Sequence, residues 1–90
     1  MNFRITPHSG GAPPQDAIER LWERLGPRQE DTSFSLTGAE IRATWGEGEA
    51  SSARDERAEV GRAQVLEIIE SVCERTPDLR SDWYAVSFVP

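Results

Sequence analysis

The spacing of apolar and polar positions changes several times along this chain, and each change marks an element. Asn2–Thr6 alternates, with Phe3 and Ile5 on one side and Asn2, Arg4 and Thr6 on the other. That period of two predicts a short half-buried strand, which Pro7 ends. Residues 7–14 (PHSGGAPP) read as a loop by composition. The period then lengthens. Ile18, Leu21, Trp22 and Leu25 fall at i, i+3, i+4 and i+7, which predicts a helix over Pro14–Leu25. Pro13 and Pro14 suit its entry, where a missing N–H costs nothing. Gly26-Pro27 stops it, because glycine takes a left-handed terminal conformation and proline blocks continuation. Asp16 and Arg20 form an i, i+4 pair on the outer side.

Alternation returns over Thr32–Trp45 and predicts a hairpin. With the turn at Thr37-Gly38, Leu36 faces Ala39, Phe34 faces Ile41 and Thr32 faces Ala43. One face is then Phe34, Leu36, Ala39, Ile41, Ala43 and Trp45, and the other Ser33, Ser35, Glu40, Arg42 and Thr44. A one-residue slip would mix the two sets. Gly46–Ser52 (GEGEASS) reads as a connector. A long helix follows over Ala53–Thr76, with Ser52 and Asp55 placed as a start cap. Its apolar face is Ala58, Val65, Ile68, Ile69 and Val72, flanked by Leu66 and Cys73, and Pro77 closes it. After a loop at Asp78–Asp82, Trp83–Val89 reads as the last strand. Tyr84, Val86 and Phe88 fall on one side, and Trp83, Ala85, Ser87 and Val89 on the other.

The order β-α-β-β-α-β, with one apolar sheet face and two amphipathic helices, predicts a single α+β domain over 1–90. It is a two-layer sandwich. Right-handed crossovers lead to a ferredoxin-like βαββαβ arrangement: a four-stranded antiparallel sheet in order 4-1-3-2, with both helices on one face.

Charge changes what such a domain can do. Sixteen acidic residues against ten basic ones give a formal charge of −6. Such a surface repels a phosphate backbone, and neither central strand puts an aromatic on the open face, so nucleic acid is not the expected partner. All ten basic residues are arginine. The absence of lysine excludes Schiff-base chemistry and a phosphate-loop lysine. One cysteine, Cys73, excludes an intrachain disulfide, and its place on a mainly apolar helix face predicts a buried, inert thiol. No nucleophile motif, calcium-loop spacing (Glu47 and Glu49, or Asp78 and Asp82) or zinc-ligand set is present, and no cofactor or metal is expected. No run is long and apolar enough for a secretory signal or a membrane span, so the expected location is cytoplasmic.

Two surface patterns remain. At about 100° per residue, Glu56, Glu59, Glu67, Glu70 and Glu74 fall in one narrow stripe of the long helix. Glu70 and Glu74 are like charges at i, i+4 near the helix C-terminus, where both placements are unfavourable. The stripe is a candidate docking surface for a basic protein, weighed against a plain solvated face. The second pattern is the last strand, which is uncharged although it is expected at an edge. Trp83, Ala85 and Val89, with Arg4 and Arg42 nearby, form a candidate interface on the open sheet face, for a second copy of the chain or for another protein. The His8-Ser9-Gly10-Gly11 loop could hold an anion on its backbone N–H groups, but reads more simply as a connector. The expected function is a small non-catalytic interaction or regulatory domain that self-associates through its last strand or open face. The alternative is a ligand-binding protein or enzyme that uses Arg4, Arg42 and Trp83 for an anionic small molecule.

Overall fold

The computed structural model describes residues 1–46 and 54–90. In chain order the elements are β1 (Asn2–Pro7), α1 (Ala17–Leu25), β2 (Arg28–Gln29), β3 (Thr32–Thr37), β4 (Glu40–Trp45), α2 (Arg54–Glu74) and β5 (Tyr84–Val89). Short 3-10 turns occupy Ser9–Gly11 and Ser81–Trp83. The fold is α+β, with one sheet ordered β2-β3-β4-β1-β5, antiparallel at every junction, and two helices.

The core follows from the alternation. Phe3, Ile5, Phe34, Ile41, Ala43, Trp45, Tyr84 and Val86 are buried on one sheet face. Ile18, Leu21 and Leu25 of α1 and Val65, Ile69 and Val72 of α2 meet them in one cluster. Each such aliphatic side chain contributes about 1.5–3 kcal/mol on burial. Ala58, Leu66 and Ile68 are half-buried at the margins of α2.

Several expectations are corrected. The sheet has five strands rather than four. Glu30 takes a left-handed conformation (φ 53°) and closes a tight turn, setting Arg28 opposite Ser33 and Gln29 opposite Thr32. Gln29 also donates from Nε2 to the Leu25 carbonyl at 2.9 Å, satisfying an end group of α1. The β3–β4 hairpin turns at Gly38-Ala39 instead of Thr37-Gly38, so Leu36 faces Ile41, Phe34 faces Ala43 and Thr32 faces Trp45. Gly38 supplies positive φ (61°) at the first loop position, the glycine placement of a type II′ turn. The shift is two residues, so the paired side chains keep their expected faces, while Ala39 leaves the apolar face for the exposed turn. Leu36 nevertheless stays 40% exposed near the hairpin tip.

Helix α1 begins at Ala17 rather than Pro14. The Ala17 N–H reaches back only to the Pro14 carbonyl, and the first full-turn bond is Arg20 N–H to the Asp16 carbonyl at 3.0 Å. Its end is as expected, at Gly26 with φ 69°. Helix α2 ends at Glu74, while Thr76 and Leu79 beyond it are buried. Most of the expected connector at Gly46–Ser52, with Glu47, Glu49 and the Ser52–Asp55 cap, lies outside the described residues and side chains.

One glycine determines how α2 sits. A methyl group added at Gly61 would lie 2.6 Å from the rings of both Phe3 and Trp45. The helix therefore lies on two aromatic side chains with no side chain of its own between. Gly61→Ala would gain up to about 1 kcal/mol in helix propensity. Overpacking costs about 1–3 kcal/mol. A net loss of stability in chemical denaturation is expected, with a changed Trp45 emission, and a more stable variant would refute the close approach.

Candidate functional site

The open face of the sheet is polar. Arg4 of β1 sits directly across from Arg42 of β4. Two like charges in that register repel. Glu40 resolves the conflict by contacting both, at 3.0 Å from Arg4 and 2.7 Å from Arg42. Beside this trio the Thr44 hydroxyl donates to the Asn2 side-chain oxygen at 2.9 Å. The structure thus brings Arg4 and Arg42 together, with one of their two charges answered by the shared carboxylate. Ala85 and Val89 are half-buried on β5, across from Thr6 and Asn2.

Trp83 does not join them, which corrects its placement in the last strand. It closes the 3-10 turn Ser81–Trp83, and the ladder starts one residue later with Pro7 opposite Tyr84. The indole is half-buried, packs against the core cluster and meets the Tyr84 ring edge-on at 6.4 Å. The Trp83 N–H bonds back to the Arg80 carbonyl at 3.1 Å, which keeps the residue in its 3-10 turn, and the two 3-10 turns pack backbone to backbone. A methyl group at Gly11 would lie 2.0 Å from the Asp82 carbonyl oxygen. The His8 N–H donates to the Trp83 carbonyl at 2.7 Å. The same contact accounts for the His8–Gly11 loop. The His8 N–H is engaged with Trp83, and the N–H groups of Gly11 and Ala12 bond back to His8 and Ser9.

The outer stripe of α2 is laid out as its spacing predicts. Glu56, Glu59, Glu67, Glu70 and Glu74 are all exposed. Among the described residues, none of the five is in an ion pair or hydrogen bond. The nearby cations are directed elsewhere. Arg20 is held by Asp16 at 2.9 Å and Arg80 by Asp82 at 3.2 Å. Arg62 donates to the Val86 carbonyl and Arg75 to the Ser71 carbonyl. No basic residue occupies the last turn of α2.

Two grooves flank this helix. One, of about 480 Å³, is lined by Gln29 and Glu30 at β2 and by Glu67, Ile68, Ser71 and Arg75 of α2. The other, of about 510 Å³, is lined by Glu70, Cys73 and Glu74 of α2 and by Leu79, Arg80 and Asp82 beyond it. Both walls are mainly polar or charged, unlike the apolar clefts that enclose small ligands. Among the described residues, no three of His, Cys, Asp and Glu come together as metal ligands, and no helix is long and apolar enough to cross a membrane.

Three titratable groups among the described residues depart from their ordinary values: the hydrogen bond to Asp16 pushes Arg20 up, which favours its charged form, whereas the shifts of Cys73 and Tyr84 favour the neutral form. Burial pushes the Cys73 thiol up, with Asp82 and Glu70 adding to it, so its nucleophilic thiolate is suppressed. Burial likewise pushes the Tyr84 phenol upward; its hydroxyl donates to the Ala17 carbonyl at 2.7 Å, tying β5 to the start of α1. For both, the folded value lies above the unfolded one. Their stabilising effect is whole at neutral pH and is lost as pH rises, from about 9 for the thiol and about 10 for the phenol. Tyr84 is the only tyrosine. Tyr84→Phe is expected to cost about 1–2 kcal/mol at pH 7. It should also flatten the decline of stability above pH 10, read by denaturation at a series of pH values; an unchanged alkaline slope would count against the buried phenol.

Comparison with protein-family models, curated proteins and solved structures finds no match to this chain.

Proposed function

We propose that this chain is a small acidic interaction domain of the cytoplasm that docks a basic protein along the outer stripe of α2. The observation that carries this reading is the alignment of Glu56, Glu59, Glu67, Glu70 and Glu74, exposed and unanswered by any arginine among the described residues. The stripe spans about 27 Å of helix at 1.5 Å per residue. Helix stability alone would not select it, because Glu70 and Glu74 repel each other and face the negative end of the helix dipole. A partner segment carrying arginine or lysine at helical spacing would supply the missing charge. The sheet order supports reading the scaffold as a ferredoxin-like arrangement with an added edge strand.

The open face supports self-association or anion binding less well. Glu40 already takes the Nε of both arginines and leaves them one net positive charge, and Trp83 lies outside the ladder, well along β5 from the Ser87 position that faces Arg4.

The test is capture from an extract of the protein's own cells, with a Glu67→Lys/Glu70→Lys/Glu74→Lys variant beside the native chain. A basic protein retained by the native chain, released by moderate salt and lost from the variant supports the reading. Identical captures return the stripe to a solvated surface. Independently, Glu74→Lys should raise stability by about 0.3–1 kcal/mol in chemical denaturation. A loss would show that the carboxylate has a structural role after all.

A further inference from the structure

The groove between β2 and α2 is walled by hydrogen-bonding groups that the fold itself leaves unused. Its volume is about 480 Å³, and Gln64 joins Gln29, Glu30, Glu67, Ser71 and Arg75 along it. On the β2 wall, Gln29 commits its Nε2 to the Leu25 carbonyl, which leaves its side-chain oxygen as a spare acceptor. The Glu30 carboxylate beside it is exposed and makes no hydrogen bond or ion pair among the described residues. On the α2 wall the same holds for the Gln64 amide and the Glu67 carboxylate. Arg75 is the one cation of the described lining, and its Nε donates to the Ser71 carbonyl at 3.3 Å. Two carboxylates therefore outweigh one guanidinium, and unused acceptors line both walls. Glutamate is also an unfavourable residue at position 30. Its backbone has φ 53°, which glycine or asparagine adopts with less strain. Turn stability does not select a carboxylate there.

We infer that this groove takes an arginine side chain of a basic protein partner. The inference rests on the docking reading of α2, whose Glu67 it shares, and extends that surface to a residue outside the helix. A guanidinium carries its N–H donors in a flat fork that meets acceptors on two walls at once, whereas an ammonium is a compact point charge. Half-buried Ile68 gives the methylene stem an apolar strip to lie on. The polar lining suits a side chain tethered to a partner better than a free small molecule, which needs an apolar enclosure. The net charge of −6 opposes a second copy of this chain as the source.

Two helical peptides of equal charge serve as probes, one with arginine and the other with lysine at every basic position. Their affinities are read by fluorescence anisotropy at low and moderate salt. The native chain is expected to bind the arginine peptide about fivefold more tightly than the lysine peptide. Glu30→Gln keeps the shape of the side chain and removes its charge; Glu30→Gly also relieves the backbone. Both variants should lose most of the preference for arginine without a fall in the midpoint of chemical denaturation. Glu74→Gln removes an equal charge outside the groove, and should weaken both peptides while leaving the preference intact. Equal, salt-sensitive affinities of the two peptides for the native chain, or a preference that survives both Glu30 variants, would overturn the groove and leave the stripe standing. No salt-sensitive binding of either peptide would remove both readings.

Discussion

The seating of α2 on the sheet rests on a position that has no side chain. Gly61 lets the helix backbone approach the rings of Phe3 and Trp45, so closely that a single methyl group would clash with both. That contact sets the rotation of the helix about its axis. Val65, Ile69 and Val72 then point inward and are buried. The five glutamates fall on the opposite side. Arg62, the next residue, turns toward β5, while Glu67, Ser71 and Arg75 help line the groove at β2. A helix seated one residue differently would place Val60 or Arg62 against the aromatics in place of Gly61.

The distribution of arginines gives the surface its character. Glu40 serves two arginines at once on the open face, turning a repulsive cross-strand pair into a three-group cluster. These groups are partly exposed, so each contact contributes little to stability, about 0–1 kcal/mol. Their larger effect is on placement. Arginines committed to Glu40, Asp16, Asp82 and backbone carbonyls are not available to the outer face of α2. Helix α2 carries six acidic residues against three arginines, half of the chain's net charge of −6, and five of those carboxylates share its outer face. Burial holds both Cys73 and Tyr84 in their neutral forms, with carboxylates adding to the effect at Cys73, which suits structural parts better than reactive ones.

Much of this was legible in the order of residues, wherever a period was sustained. The α1 stripe from Ile18 to Leu25 and the alternation of β1, β3 and β4 gave the helices, the buried faces and the sequence of neighbours in the sheet. Where the outcome depended on one dihedral angle, the pattern was not enough. Gly38 takes its positive φ as the first loop residue rather than the second, which moved the hairpin register by two without disturbing either face. Residues 28–29 are too short a segment to show alternation at all. Trp83 continued the alternation of β5, and nothing local revealed that the Ser9–Gly11 turn packs its backbone against Asp82. The packing role of Gly61 was equally hidden, because periodicity counts side chains and glycine has none. The reach of Arg62 to Val86 joins residues 24 apart and belongs to tertiary structure alone.

The arrangement of strands also bears on how the chain reaches this state. β2, β3 and β4 pair with their sequence neighbours through tight turns, so that half of the sheet can assemble locally. β1 is central, yet both of its partners come later, and one of them is β5 at the far end of the chain. The Tyr84 hydroxyl reaches Ala17 across 67 positions. Contacts of that separation carry a large loop-closure entropy and are rewarded only once both ends have met. During synthesis, Phe3 and Ile5 must therefore wait for their partners Phe88 and Val86 until that later segment has emerged.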